Sequence, residues 1–286
     1  MAAPSEADAL KPGLYLVATP IGAARDITLR AIDILAGADI LAAEDTRSLR
    51  RLMEIHGIPL RGRRIVAYHD HNGSAVRPKL LAALAEGRSV AYASEAGTPL
   101  IADPGYDLAR EARAAGHDVR AAPGASALLA ALAVAGLPTD RFLFAGFPPN
   151  RRGRRRDWLA EMKGIRATLV FYEAPGRIRE TLADCVSCFG GTRPAAVARE
   201  LTKRFEEVTR GSLGELAALW AEREARGEFV VLVGWKEDRA VPDVEAALRA
   251  ALESMPVSEA AARVAAELHL PRRQVYQAAL ALGRGR

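Results

Sequence analysis

The chain has 286 residues, half of them hydrophobic, and a formal net charge of +5; this length allows two ordinary domains and a small appendix, and the apolar fraction excludes wholesale disorder. The positive balance favours a polyanionic partner but is modest for a nucleic-acid binder, so the places where arginine clusters say more than the total. The first ten residues lack a basic start followed by an apolar run, and no stretch approaches the roughly 20 apolar residues that span a bilayer, so a soluble, cytoplasmic protein is expected.

Short runs of Val, Ile and Leu alternate with helix-period segments up to about residue 235. Leu14–Thr19 reads as a buried strand, followed by a Pro-Ile-Gly turn and a helix from about Thr28 to Ala36. A second strand, Asp39–Ala43, precedes a helix opening near Thr46. Strands Arg64–Ala67 and Ser89–Ser94 flank a helix ending near Glu86, and helix 105–115 and strand 118–122 complete a first β/α half. Such alternation predicts a mostly parallel sheet covered on both faces. Pro123-Gly124 is the expected hinge, dividing domain 1–123 from domain 124–238. The second half reads as helix 126–135, strand 142–146, a basic loop, strand 167–172, helix 177–188, strands 195–200 and 205–210, helix 213–225 and strand 229–234. The adjacent strands 195–200 and 205–210 predict an antiparallel hairpin and a mixed sheet. Pro242 marks a break before a helical tail, 239–286: helix 243–254, a helix capped by Ser258 and reaching about His269, and a last helix opened by Pro271. The last two resemble a helix-turn-helix in outline.

Cys185 and Cys188 are spaced C-x-x-C, but no second ligand pair accompanies them, and they read as ordinary residues on one helix face. The first βα turn, Thr19-Pro20-Ile21-Gly22, is neither a G-x-G-x-x-G fingerprint nor a P-loop, which argues against NAD-dependent dehydrogenases and P-loop NTPases. The segment Ser94–Gly105 leaves the C-terminal end of a buried strand, where open α/β sheets bind ligands. Gly97 permits close backbone approach, and Asp103-Pro104 reads as a helix N-cap followed by N1. Two readings stand side by side: a ligand loop for an adenosine or a methionine carboxylate, or a turn that merely caps a helix. Pro123-Gly124-Ala125-Ser126 similarly opens a helix whose free N–H groups suit an anion, or is a routine junction.

Five motifs occur in order: Thr19-Pro20-Ile21-Gly22, Ala43-Glu44-Asp45-Thr46-Arg47, His69-Asp70-His71-Asn72, Gly97-Thr98-Pro99 and Ala198-Arg199-Glu200-Leu201-Thr202-Lys203. Together they resemble the RsmI family, the small-subunit ribosomal RNA methyltransferases I of the tetrapyrrole methylase superfamily, over essentially the whole chain. Four positions depart from that pattern: Glu95 stands where Asp is usual, Ala125 for Pro, Ala23 for Asn and Gly176 for His. The resemblance implies a two-domain α/β fold with a small C-terminal helical domain. It implies a homodimer that binds S-adenosylmethionine between its α/β domains and methylates the ribose 2′-hydroxyl of a decoding-centre cytidine in 16S rRNA. The cofactor residues it implies are Pro20, Ser94, Gly97, Thr98, Pro99, Ile101, Asp103, Ser126, Tyr172, Ala198, Glu200 and Leu201. A tetrapyrrole C-methyltransferase sharing fold and cofactor is the alternative, and a purely nucleic-acid-binding module is a third reading.

A sulfonium is already a potent methyl donor, so the protein must chiefly align the 2′-oxygen and accept its proton. Asp45 and the His69-Asp70-His71 cluster each follow a predicted strand and are expected to converge on one edge of the cleft; Asp45, Asp70 and His69 are the catalytic candidates, with the base left open among them. An N-cap role for Asp45 and a polar turn at His69–His71 are the plain alternatives. For RNA, Arg151, Arg152, Arg154, Arg155 and Arg156 with Gly153 read as a flexible loop able to reach several phosphates. Arg47, Arg50, Arg51 and His71 add contacts near the cleft, and Arg272 and Arg273 add them from the tail. Trp158 reads as a packing residue.

Overall fold

In the first half, five short strands alternate their side chains between two apolar layers. A computed structural model describes residues 10–235, 244–268 and 270–283. Strands β1 (Gly13–Val17), β2 (Ile40–Ala43), β3 (Ile65–Ala67), β4 (Ser89–Ala93) and β5 (Val119–Ala122) form an all-parallel sheet in the order β3-β2-β4-β1-β5. Tyr15 and Val17 of β1 face a layer that includes Ile34 and Leu35 of α1 (Leu29–Gly37) and Leu49 and Met53 of α2 (Thr46–Ile55). Leu14 faces the opposite layer, with Leu80 and Leu84 of α3 (Gly73–Ala85) and Leu108 and Ala112 of α4 (Tyr106–Ala114). A strand period of two therefore sorts one helix pair to each face.

Strand order makes the ligand crevice. From β1 the chain crosses over β4 to reach β2, whereas from β4 it crosses over β1 to reach β5. The loops after β1 and β4 thus depart to opposite faces, and neighbouring strands whose crossovers diverge leave a crevice at their C-terminal ends.

The second sheet runs β6-β7-β10-β8-β9, from β6 (Phe142–Phe144), β7 (Thr168–Glu173), β8 (Pro194–Arg199), β9 (Glu207–Ser212) and β10 (Phe229–Val233). Only β6 and β7 pair in parallel; β8 and β9 form the expected antiparallel hairpin, so the sheet is mixed. Helix α5 (Ala127–Ala135) covers one face through Leu128, Ala131 and Leu132, and Ile21 from the first βα turn joins that layer. The other face carries α6 (Arg152–Glu161), α7 (Ile178–Phe189) and α8 (Leu213–Glu222), the last begun by a Ser212–Glu215 capping box. Cys185 lies buried in this layer, and burial pushes its thiol pKa up; Trp158 packs edge-on against Phe171 at 5.7 Å.

Three expectations are corrected. Arg151–Arg156 is not a loop: α6 begins at Arg152, with Arg151 as its N-cap and Gly153 inside the helix. Helix α4 does not start at Asp103-Pro104 but at Tyr106, behind Gly105 at φ 114°. A side chain at 105 would lie 2.6 Å from the Tyr92 ring, so the chain turns there through a glycine. In the tail, Ser258 lies inside its helix, whose N-cap is Pro256.

The tail forms its own unit of three helices, α9 (Val244–Leu252), α10 (Val257–Glu267) and α11 (Arg272–Gly283). Its core is built largely of alanines around Leu248, Val264 and Val275, and small side chains let the helices approach closely. Arg272 and Arg273 are exposed at the start of α11. Pro242, His269, Arg284 and Arg286 lie outside the described residues. Among the described residues no helix is long and apolar enough to cross a membrane.

Candidate active site

The crevice between β1 and β4 is held open by local bonding. Thr19 and Gly97 exchange backbone hydrogen bonds at 2.9 and 3.0 Å as an isolated antiparallel bridge. Ser94 donates from Oγ to the Gly97 carbonyl at 2.6 Å, and Thr98 donates to the Ala125 carbonyl at 3.0 Å, tying the loop to the start of α5. Downstream, Leu100 (φ 70°) and Ala102 (φ 60°) sit in the left-handed region without being glycines. Such backbone costs on the order of 1 kcal/mol each and persists where surroundings impose it, often at ligand sites. Here the Tyr92 hydroxyl, donating to the Pro104 carbonyl at 3.0 Å, pins the end of the loop.

Above this loop lies a cleft of about 360 Å³, walled on one side by Gly97, Thr98, Ile101, Ala102 and Asp103 and on the other by Ser126, Tyr172, Ala198, Glu200 and Leu201. Its size falls within the roughly 300–1,000 Å³ of small-molecule pockets. The far wall is itself fastened: the Tyr172 hydroxyl accepts from the Leu128 N–H at 3.2 Å, and Glu200 accepts from the Glu228 N–H and from Lys203 Nζ, both at 3.0 Å. Burial opposes ionisation of Glu200, but those donors outweigh it and hold its carboxyl below the ordinary range. Gly227, at φ 86°, completes the wall, since a Cβ there would meet the Glu200 carboxyl at 2.5 Å. Among the described residues the charged groups lining the cleft are Asp103, Glu173, Glu200 and Glu228, with no basic side chain.

The expected cofactor residues Gly97, Thr98, Ile101, Asp103, Ser126, Tyr172, Ala198, Glu200 and Leu201 meet at this cleft. Pro20 and Ser94 do not line it; they line a neighbouring groove of about 530 Å³. Pro99 is buried within the loop and borders neither. The expected catalytic residues do not converge. Asp45 lies in the 530 Å³ groove with Arg47 and Arg51, whereas His69 and Asp70 line a separate groove of about 220 Å³ with Arg77, Asp103 and Asp107. Asp45 is moreover the N-cap of α2, accepting from the backbone N–H groups of Arg47 (2.7 Å) and Ser48 (3.3 Å). The Arg47 side chain, followed by those amides, holds its carboxyl below the usual range, which makes it a weak proton acceptor. His71 and Arg47 are exposed.

Arg155 is also corrected. It is fully buried and gives Nε to Asp184 at 2.8 Å and a terminal nitrogen to Glu180 at 3.0 Å, so it cannot reach a phosphate. Arg151, Arg152, Arg154 and Arg156 are exposed on α6 and its cap, although Arg152 also leans on Asp184 at 3.3 Å.

Glu44 has no assigned role in the sequence reading, although it sits inside the Ala43–Arg47 motif at the end of β2. Its Oε2 is buried without a hydrogen-bond partner among the described residues, as is Nδ1 of His69. Burial, then the charge of Glu95, pushes the Glu44 carboxyl up, although the Glu95 N–H acts the other way. Asp103 is pushed up to about 7 by burial first and then by Glu44 and Glu95.

This pairing of a parallel sheet with a mixed one is a fold shared with the tetrapyrrole methylases. The model of that family, Tetrapyrrole (Corrin/Porphyrin) Methylases, matches residues 13–217, and the RsmI C-terminal HTH domain matches 238–283. Solved structures agree in fold: the methyltransferase CobJ (TM-score 0.59, 21% identity, 78% of this chain and 93% of that one) and a uroporphyrin-III C-methyl transferase from Thermus thermophilus, complexed with S-adenyl homocysteine (0.53, 21%, 78% and 97%). Among curated relatives, the ribosomal RNA small subunit methyltransferase I of Mesorhizobium japonicum is 50% identical, over 90% of this chain and 87% of its own. That of Escherichia coli O157:H7 is 42% identical, over 96% of each. The chain belongs to the ribosomal RNA small subunit methyltransferase I family and is a methyltransferase.

Proposed function

We propose that this chain, as a homodimer, transfers a methyl group from S-adenosylmethionine to the ribose 2′-hydroxyl of a decoding-centre cytidine in 16S rRNA. At the coarser level it is an S-adenosylmethionine-dependent methyltransferase of small-subunit ribosomal RNA. The observation that carries the RNA reading is the extent of the likeness. The RNA-methylating relatives match 90% or more of this chain, whereas the solved tetrapyrrole enzymes match 78%.

The cleft suits the methyl donor, which carries a sulfonium and an ammonium. Apolar Ile21, Ile101 and Tyr172 offer a bed for an adenine ring, and the charged lining is wholly acidic. The same lining offers a tetrapyrrole's carboxylates no basic partner of its own, since Lys203, behind the wall, is already paired with Glu200 at 3.0 Å and Glu228 at 2.9 Å. When bound, the donor supplies an electrophilic methyl group; the protein's own residues hold it and present the ribose. We assign the ribose to the groove of His69 and Asp70, and RNA phosphates to Arg47, His71, Arg151, Arg152, Arg154, Arg272 and Arg273.

The test is a ribose-methylation map of rRNA, by mass spectrometry, from cells with and without the gene. One 2′-O-methylcytidine of the small subunit should disappear. An unchanged map would remove the substrate assignment, and light scattering of the purified chain at monomer mass would remove the homodimer.

A further inference from the structure

Two cavities open on either side of the loop after β4, and one residue borders both. Asp103 closes the end of the 360 Å³ cleft assigned to the cofactor and forms one wall of the 220 Å³ groove that holds His69 and Asp70. A group that must touch both the reacting methyl's surroundings and the hydroxyl entering from the RNA side has to stand at that junction. The loop is built to put it there: Leu100 and Ala102 adopt left-handed backbone, and Tyr92 fixes the following carbonyl. Among the described residues Asp103 makes no side-chain hydrogen bond and no ion pair, whereas Asp45 spends its carboxylate on a helix end and Glu200 on Lys203 and Glu228.

We infer that Asp103 is the proton acceptor for the attacking 2′-hydroxyl, an inference that rests on the ribose-methylation reading above. The hydroxyl proton passes to an Asp103 carboxylate oxygen as the 2′-oxygen forms its bond to the methyl carbon. The carbon–sulfur bond breaks with its electron pair kept on sulfur, so the positive sulfonium and the negative carboxylate are neutralised together.

The groups around Asp103 tune it. Glu44 from the end of β2 and Glu95 from the end of β4 raise its proton affinity after burial has done so, placing it near 7. Tyr172 of β7 faces it from the second sheet, and His69, Asp70, Asp107 and Arg77 line the shared groove. Arg77 is itself engaged, with Glu111 at 2.9 Å and Asp107 at 3.5 Å, and so does not neutralise the site. An acceptor with a proton affinity near the working pH is what general-base catalysis requires. Glu44 acts through Asp103 and is a positioning residue, its Oε2 left without a hydrogen-bond partner among the described residues so that its charge bears on its neighbour.

The experiment combines titration and turnover on the full-length protein. In the ligand-free chain, carbon-13 NMR of carboxyl groups, assigned by Asp103→Asn, should show Asp103 titrating near 7. Glu44→Gln should lower that midpoint. With S-adenosylmethionine and small subunits from cells lacking the gene, wild-type kcat/KM should fall about tenfold per pH unit below the midpoint, and the limb should move down with Glu44→Gln. Asp103→Asn should lower kcat, measured at saturating S-adenosylmethionine, by roughly 100-fold or more. Asp103→Asn turning over within about threefold of wild type, or an acid limb that ignores Glu44→Gln, overturns the inference. If Asp103→Asn does not fold, the matched shifts of titration and acid limb in Glu44→Gln decide the matter. Nucleoside analysis of the same reactions separates the two levels. A methyl group found on a base in the wild-type product overturns the ribose reading and this inference together. Wild-type ribose methylation unchanged in Asp103→Asn overturns the inference alone.

Discussion

Replacing Arg155 with Met separates folding from RNA binding in the arginine run. The guanidinium is wholly buried between α6 and α7, and Asp184, its partner at 2.8 Å, is 1% exposed. Removing the cation leaves the carboxylate facing apolar side chains with only Arg152, 72% exposed and 3.3 Å away, in reach. Breaking a buried pair from one side costs about 3–5 kcal/mol, because the orphaned charge keeps its desolvation penalty. With a urea m-value of about 3 kcal/mol/M, the unfolding midpoint should drop by roughly 1–1.7 M. Trp158 on α6, packed on Phe171, reports the transition by fluorescence. Arg155→Met combined with Asp184→Leu removes both charges and should recover most of the loss, since replacing a buried pair by apolar groups is often neutral or better. Exposed Arg154→Ala should move stability by no more than about 0.5 kcal/mol. A midpoint unchanged in Arg155→Met, or a double variant no more stable than the single one, would refute the structural role. Loss of RNA affinity in a stable Arg155→Met protein would return Arg155 to the RNA surface.

Two further outcomes follow from the same geometry. Neutralising Arg151, Arg152 and Arg154 together should weaken small-subunit binding and flatten the plot of log affinity against log salt, by roughly 0.7 to 0.9 per lost phosphate contact; an unchanged slope in filter binding removes α6 from the RNA interface. Gly227→Ala forces a side chain into left-handed backbone and against the Glu200 carboxyl at 2.5 Å. Displacing that wall should weaken S-adenosylmethionine by about tenfold, or ~1.4 kcal/mol, in calorimetry, and an unaltered Kd would show that this wall does not shape the cofactor site.

How much of this was legible in the sequence depends on how local each cause is. The strands announced themselves because Leu14–Val17, Ser89–Ala93 and Phe229–Val233 are unbroken apolar or small runs, buried on both sides. Helix α6 was invisible for a specific reason. Its buried positions, Arg155, Leu159 and Met162, are spaced i, i+4, i+7 like any core-facing stripe, but an arginine occupies the first of them, and the acid that makes its burial tolerable lies on another helix. The range 105–115 for α4 was legible, but its cap was not, because the ring that demands glycine at 105 comes from the preceding strand. Nine of the twelve residues that the family resemblance implied for the cofactor do meet at the 360 Å³ cleft. The proton affinity of Asp103 was not legible, because it rests on burial in the folded cleft and on Glu44 and Glu95, which follow two different strands.

Charge is divided in this molecule by task. The charged lining of the 360 Å³ cleft that we assign to the donor is acidic, whereas the positive charge we assign to RNA stands outside it, on Arg47 of α2 and on the exposed arginines of α6. A phosphate drawn to those arginines gains nothing by moving inward, since each step brings it toward Asp103, Glu44 and Glu95. A neutral ribose hydroxyl meets no such barrier. At physiological salt the screening length is about 8 Å, so exposed arginines act on the backbone beside them and little further, while the half-buried Asp103 and Glu44 are screened less. The same acids that repel phosphate raise the proton affinity of Asp103, so exclusion of the RNA backbone and activation of its sugar share one cause. That coupling predicts that Glu44→Gln weakens both at once, lowering the Asp103 midpoint and loosening discrimination against a phosphate in the groove.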